Sequence, residues 1–232
     1  MPFGFGFFDP TMLLILPGLA FAFWAQNKVR STYEKWSQVP SSRGQSGQAV
    51  ALSILSRNQL PGVEVKPVEG VLSDHYDPRN KSVNLSEGIY HSRSIAALSV
   101  AAHECGHALQ DQAGYTPMNL RAAIVPVAGF SSMAAFPLFF IGFMFPRGLH
   151  WLMDLGILLF AAALVFHVVP LPVEFNASNR ALAQLKEGNY LTPDESRGAR
   201  EVLDAAALTY VAATAMAALQ LLRLLLLRNS RD

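Results

Sequence analysis

Apolar residues are concentrated in four long tracts, and the segments between them carry the charges, prolines and turn residues of a water-soluble protein. A helix needs about 20 mostly apolar residues to cross the hydrocarbon core of a bilayer. The tracts cover positions 12–25, 122–145, 149–169 and 205–227. Only Pro146-Arg147-Gly148 separates the second tract from the third, which indicates a tight turn between antiparallel spans. We therefore predict a mainly α membrane protein with about four transmembrane helices.

The first tract is short for a span, but Phe3 to Phe8 extend it toward the N-terminus. A cleaved signal peptide is the less favoured interpretation, because no basic region precedes the tract and no clear small-residue cleavage site follows it. We expect a retained anchor. An excess of basic residues beside a span marks the cytoplasmic side, and such residues follow this tract: Lys28, Arg30, Lys35 and Arg43. The N-terminus is then expected outside.

The polar segment between the first two tracts predicts a small α+β domain. It contains a predicted short helix at 48–58, an extended run at 63–68 and a hairpin within SDHYDPRNKSVNLS, whose turn is Asp77-Pro78-Arg79-Asn80. The run from Ser94 to Gln112 is rich in alanine and leucine and lacks proline, which predicts a longer helix ended by Gly114 and Pro117.

The chain becomes polar again after the third tract, and two spans would return it to its starting side. Thr192, Pro193 and Glu195 have the spacing of a capping box with proline at the first helical position. The last tract ends near three arginines that four spans would place outside: Arg223, Arg228 and Arg231. A last helix that lies along the membrane interface is the alternative to a span.

The composition supports a membrane location and excludes nucleic acid as a partner. Hydrophobic residues make up 51% of the chain and charged residues 15%, against about 25% charged residues in typical soluble domains. The 18 basic and 17 acidic residues give no basic face for nucleic acid. The single cysteine, Cys105, cannot form an intramolecular disulfide, so a cytosolic domain is compatible with the sequence.

The HECGH stretch is the strongest candidate for chemistry. His103 and His107 are four residues apart on a predicted helix, so both imidazoles project from one face and can take two corners of a tetrahedral zinc site. Glu104 between them is expected to be the base that takes a proton from the attacking water. Ordinary polar histidines are the disfavoured interpretation, because burying them among alanines without a metal or partners would be costly.

A catalytic zinc ion needs a third protein ligand and an open position. The pattern HExxHxxGxxH is absent, because position 113 is Ala. Glu174 is the preferred third ligand, since it begins a predicted helix after the third tract on the same side as the motif. His167 is the weaker alternative. The remaining downstream acids are expected to serve as capping and surface residues: Asp194, Glu195 and Glu201.

The order of DHYDP, AAHECGHALQ, two apolar tracts and LPVEFNAS resembles the YugP-type neutral zinc metallopeptidases of bacterial membranes over nearly the whole chain. More distantly it is similar to the HtpX and CAAX-prenyl protease group, where a Glu-aromatic-x-Ala-Asp run supplies the third ligand. That resemblance puts Glu174 at the ligand position. Ser178 and Asn176 stand where aspartates are expected, so neutral groups would orient the ligands.

Other polar side chains are candidates for an oxyanion donor, a role that a peptidase requires at its tetrahedral intermediate. They are Tyr90, His91, Tyr115 and Arg180, and the sequence does not rank them. Each also suits a structural role. Asp77 is expected to form the turn rather than a second metal site.

These observations predict a zinc-dependent, gluzincin-like endopeptidase with one Zn²⁺ per chain, a peptide or membrane-protein substrate and a multi-pass location in the cell membrane. The active site is expected on the cytoplasmic side. The predicted divisions are an anchor (1–27), a zincin-like domain (28–116), two transmembrane helices (117–170), a third-ligand region (171–204) and a C-terminal helix (205–232). A zinc-stabilised scaffold without activity is the alternative, and zinc transport is disfavoured because ionisable groups within the tracts are few.

Overall fold

The structure is a computed structural model that describes residues 10–230, apart from the side chains at positions 122, 125–128, 130, 132, 146 and 147. A 3₁₀ turn (Pro10–Ile15) leads into α1 (Leu16–Ser37). The other helices are α2 (Gly47–Arg57), α3 (Glu87–Tyr90), α4 (Ile95–Gln112), α5 (Thr116–Met144), α6 (Pro146–Leu149), α7 (Trp151–Val168), α8 (Pro170–Glu187) and α9 (Pro193–Asn229). The strands are β1 (Glu64–Val68), β2 (His75–Asp77) and β3 (Ser82–Ser86).

The predicted mainly helical class with a small sheet is confirmed. Among the described residues, three helical segments are long and apolar enough to cross a membrane: Pro10–Ser37, Trp151–Glu187 and Pro193–Asn229. The second predicted tract forms α5, of which Met133–Met144 is a shorter apolar helix. A span at α5 stays a prediction. Positions 1–9 of the predicted anchor lie outside the described residues.

The chain divides into two compact units. The apolar unit comprises Met1–Gln26, Leu120–Leu171 and Thr209–Asp232, and the polar unit comprises Asn27–Asn119 and Pro172–Leu208. Helices α1, α5, α8 and α9 contribute residues to both units.

In the apolar unit, glycines bring α5 and α7 into close antiparallel contact. A Cβ atom on Gly142 would lie 2.6 Å from the backbone nitrogen of Met153, and one on Gly156 would lie 2.7 Å from the carbonyl oxygen of Ala135. Small residues at such positions let helices pack closely in a membrane, where the hydrophobic effect does not drive helices to associate. The predicted turn between these helices contains the single turn of α6. A cluster of buried side chains fills this unit: Phe139, Met153, Phe160 and Leu224.

In the polar unit, three strands form a sheet in the order β1-β3-β2. The predicted hairpin is confirmed, because β2 and β3 pair antiparallel. The Asp77 carboxylate accepts a hydrogen bond from the backbone N–H of Arg79 (2.8 Å), as expected of a turn residue. Strand β1 pairs with β3 in parallel.

Helix α4 is the central helix of the polar unit, and most of its side chains are buried. The hydroxyl of Ser94 caps its first turn by accepting a hydrogen bond from the N–H of Ala97 (3.2 Å). Cys105 packs toward α2, with its sulfur 3.7 Å from the carbonyl oxygen of Ala51. Burial raises the pKa of the Cys105 thiol, so it stays protonated at neutral pH. Apolar side chains around α4 complete the core, including Val50, Ile54, Val83, Leu85, Leu98 and Leu185.

Helix α9 begins with the predicted capping box. The backbone N–H of Thr192 donates to Glu195 Oε2 (2.7 Å), and the N–H of Glu195 donates to Thr192 Oγ1 (3.3 Å). The helix then continues without interruption to Asn229. The predicted division between positions 204 and 205 therefore falls inside one helix.

Candidate metal centre

Helix α4 presents the two histidines of the HECGH stretch one turn apart. The ring centroids of His103 and His107 are 4.7 Å apart, and the ring planes are nearly perpendicular at 83°. Residues four positions apart lie on one helix face, so this arrangement follows from the spacing.

Helix α8 brings Glu174 to the same place. Its Oε2 atom lies 3.2 Å from Nε2 of His103 and 3.7 Å from Nε2 of His107. The ligand atoms of the three residues all lie within 4.8 Å of one another. Glu174 is only 4% exposed, so its carboxylate is directed at the two imidazoles rather than at water.

The donor set fits a zinc ion. Two imidazole nitrogens and one carboxylate oxygen are the protein ligands of many catalytic zinc sites, with a fourth position open. Ligand atoms about 2.1 Å from a tetrahedral ion are separated by about 3.4 Å, and the two distances from Glu174 Oε2, 3.2 and 3.7 Å, lie on either side of that value. The assignment of these residues as metal ligands stays a prediction.

The two helices that carry the predicted ligands approach each other through a glycine. A Cβ atom on Gly106 would lie 2.5 Å from the carbonyl oxygen of Ala177 and 3.2 Å from its Cα atom. These are backbone atoms, which cannot move aside as the end of a flexible side chain can. Glycine at position 106 therefore permits the contact that carries Glu174 to the histidines.

Glu104 is buried on α4 beside His107, with 7% of its surface exposed. Burial alone would lower the pKa of His107, but the hydrogen bond that His107 donates to Glu174 and the negative charges of Glu104 and Glu174 outweigh it, so the pKa is raised. The pocket thus favours positive charge at the imidazoles. A divalent cation would satisfy the same requirement.

Both histidines have a hydrogen-bond partner at Nδ1, the ring nitrogen that does not face Glu174. Ser178 Oγ lies 3.2 Å from Nδ1 of His103. Gln110 Oε1 lies 3.0 Å from Nδ1 of His107. Asn176 Oδ1 accepts hydrogen bonds from Gln110 Nε2 (3.0 Å) and from Nε of Arg180 (2.8 Å).

Three side chains singled out from the sequence therefore lie near the Nδ1 side of the histidines. Ser178 contacts His103 directly, and Asn176 links Arg180 to Gln110. Their role in orienting the ligands stays a prediction. Gln110 was missed, because an amide neither titrates nor commonly binds zinc. The available signal was its position three residues after His107, on the same face of a helix with apolar neighbours.

Other predicted candidates have different partners. The rings of Tyr90 and His91 contact each other, with centroids 4.9 Å apart, and the Tyr115 hydroxyl donates to the carbonyl of Pro172 (3.4 Å). None of these three has a described hydrogen bond to His103, His107 or Glu174. His167 Nδ1 lies 2.8 Å from the Ala163 carbonyl oxygen within α7.

The three acids expected at caps and surfaces are found there. Asp194 pairs with Arg197, Glu195 caps α9 and also accepts from Ser42, and Glu201 accepts from Lys35 and Trp36. Asp154, in the apolar unit, pairs with Arg228 (2.8 Å). That ion pair gives one of the C-terminal arginines an acidic partner.

Residues 11–229 match the family described as "Putative neutral zinc metallopeptidase". The chain belongs to this family. It is also similar to the protein described as "Putative membrane protease YugP" from Bacillus subtilis (strain 168), with 47% identity over 222 residues that cover 95% of this chain and 98% of that protein. No solved structure matches the chain. Membership of the zinc metallopeptidase family confirms the resemblance drawn from the motifs and their order.

Proposed function

We propose that the chain is a membrane-embedded, zinc-dependent endopeptidase that hydrolyses peptide bonds of membrane or membrane-associated proteins. The observation that carries the proposal is the grouping of His103, His107 and Glu174 around one point, with Glu104 buried beside them. Family membership and the relative described as a membrane protease support it. The proposed ligands are His103, His107 and Glu174, for one Zn²⁺ per chain.

Each side chain of the site has a distinct proposed role. Zn²⁺ at this site would polarise the scissile carbonyl and activate a water molecule. Glu104 accepts the proton of the attacking water and later gives it to the leaving amine, which is the work of a general base and then of a general acid. The histidines and Glu174 supply the ligand field. Tyr90, His91, Tyr115 and Arg180 stay candidates for the oxyanion donor.

We further propose a multi-pass protein of the cell membrane, with α5 as a fourth span and a zincin-like polar unit on the cytoplasmic side. The basic residues that follow the first tract support this orientation: Lys28, Arg30, Lys35 and Arg43. The ion pair of Arg228 with Asp154 supports a spanning α9, because pairing lowers the cost of an arginine near the membrane. The proposed divisions follow the predicted anchor, polar domain, paired spans, third-ligand region and C-terminal helix.

The test of the base is a comparison of wild type with Glu104→Gln, both purified in detergent. We expect the variant to retain bound zinc and to lose at least about 100-fold of its activity on unfolded membrane proteins, because a general base contributes that much or more. Glu87→Gln is the matched control, since Glu87 is exposed in the same unit. Equal cleavage by wild type and Glu104→Gln would contradict the mechanism, and zinc with no wild-type cleavage would favour a scaffold.

The third ligand is tested in the same preparations. Glu174→Ala should lower zinc occupancy strongly, because it removes one of three protein ligands. Glu187→Ala, an exposed acid on the same helix, should leave occupancy unchanged. Unchanged occupancy in Glu174→Ala would refute the ligand assignment.

A further inference from the structure

Gln110 is a fully buried amide with a partner for each of its polar groups. Its exposed fraction is 0%. Its Oε1 faces Nδ1 of His107 (3.0 Å), and its Nε2 donates to the carbonyl oxygen of Val173 (2.7 Å) and to Oδ1 of Asn176 (3.0 Å). A buried amide is costly unless it is hydrogen-bonded, so this arrangement is specific.

Two hydrogen-bond acceptors determine which end of the Gln110 amide faces His107. The carbonyl of Val173 can only accept a hydrogen bond, so the NH₂ group of Gln110 must face it. Asn176 Oδ1 accepts from Nε of Arg180, and that nitrogen can only donate. Both acceptors direct the Gln110 nitrogen toward α8. Its oxygen is therefore left facing His107.

The orientation of the amide determines the tautomer of the histidine. An amide oxygen only accepts, so Nδ1 of His107 must carry the proton. In a neutral imidazole the lone pair is then on Nε2, the atom that lies 3.7 Å from Glu174 Oε2. His103 is held differently, because its Nδ1 faces the Ser178 hydroxyl, which can donate or accept.

We propose that Gln110 is a positioning residue that acts on two ligands at once. It fixes His107 in the Nδ1–H tautomer with Nε2 available for the metal, and it binds the carbonyl of Val173, the residue immediately before Glu174. This inference rests on the proposed zinc site. One amide thus sets the ring of one ligand and the backbone of another, on two different helices.

Metal affinity of the full chain in detergent tests the inference. Gln110→Met keeps the length of the side chain and removes both kinds of hydrogen bond. We expect it to weaken Zn²⁺ and Co²⁺ binding about 10- to 100-fold, as is typical when the partner of a ligating histidine is lost. The Co²⁺ absorption band should also change, because the ligand geometry changes. Binding is measured where circular dichroism shows every variant folded.

Gln184→Met is the matched control. Gln184 is a glutamine on α8 that accepts a hydrogen bond from Asn58 (2.7 Å), so the substitution breaks an amide contact in the same unit without touching a ligand. Its Zn²⁺ affinity and Co²⁺ band should equal those of wild type. A purely structural role for Gln110 would give both variants the same metal affinity.

Further variants distinguish the failure of the inference from the failure of the site. Wild-type affinity in Gln110→Met, together with loss of binding in His107→Ala, would refute the role of Gln110. Unchanged binding in His107→Ala would refute the metal site itself. If Gln110→Met does not fold, nitrogen NMR of the zinc-loaded wild type, labelled in its histidines, should show a proton on Nδ1 of His107. An unprotonated Nδ1 there would overturn the inference.

Discussion

The side chains that contact Nδ1 of the two histidines are neutral, although the resemblance leads us to expect an aspartate at position 178. Ser178 and Gln110 take these positions for His103 and His107, respectively. A carboxylate accepts a charge-assisted and stronger hydrogen bond than a hydroxyl or an amide does. On the proposed roles, the Nδ1 atoms of the two imidazoles are therefore oriented by a hydroxyl and an amide rather than by a carboxylate.

Asp111, at the end of α4, links that helix to the hairpin. Its carboxylate accepts from the Tyr76 hydroxyl (2.6 Å) and pairs with the ammonium group of Lys81. Burial would raise the pKa of Asp111, but the hydrogen bonds from Lys81 and Tyr76 and the charge of Lys81 outweigh it and lower the pKa.

Asp111→Asn should reduce stability at neutral pH and have less effect in acid. Because the folded-state pKa is lowered, the stabilisation is present above the unfolded pKa of about 3.9 and is lost as pH falls through the lower folded value. Lys81 is half exposed, so we expect roughly 1 kcal/mol at pH 7, or about 2–4 °C in apparent Tm. Thermal unfolding in detergent measures it. The exposed Asp204→Asn is the control, and a deficit that grows below pH 4 would contradict the account.

The proposed ligands could be predicted from the sequence by residue type, but the residue proposed to orient them, Gln110, was missed. His103, Glu104 and His107 are recognisable because few other spacings place two imidazoles and a carboxylate together on a helix. Glu174 required a helix after the third tract and the family resemblance. Gln110 was missed because the partners that determine its orientation, at Val173 and Asn176, are distant in sequence.

At the scale of elements, the contact between α4 and α8 determines whether the proposed ligands meet. Gly106→Ala would place a methyl group against the backbone of Ala177, so the helices must separate. We expect a loss of about 1–3 kcal/mol of stability and weaker zinc binding, measured by thermal unfolding and metal titration. Gly88→Ala is the control, because a Cβ atom there would meet no atom within 4 Å. Equal zinc affinity in wild type and Gly106→Ala would show that the close contact is not required.

Local patterns predicted the elements but not their long-range arrangement. The hairpin, α2, α4 and the start of α9 followed from turn residues, helix formers and a capping box. The parallel pairing of β1 with β3 could not be predicted in this way, because no local sequence pattern in β1 indicates which strand it will pair with. The continuity of α9 was also missed, since a change from polar to apolar residues at position 205 resembles a boundary although no helix breaker stands there.

At the scale of the whole molecule, the proposed metal site joins distant parts of the chain. His103 and Glu174 are 71 residues apart in sequence. A metal that binds only the folded site stabilises it by about 2.7 kcal/mol at 100 times its Kd. We therefore expect a chelator to lower the apparent Tm of wild type and to leave that of His103→Ala unchanged. An equal response of the two proteins would show that the stabilising metal is bound elsewhere.

The separation of α4 and α8 along the chain also has a consequence for biosynthesis. The ribosome completes α4 first, and the proposed ligand set is still incomplete until α5, α7 and the first turns of α8 have been made. Nascent chains that end within α5 or α7 carry the two histidines without Glu174. On the proposed function, a nascent chain that ends before α8 is therefore proteolytically silent, and the activity first becomes available after the intervening helices have been synthesised.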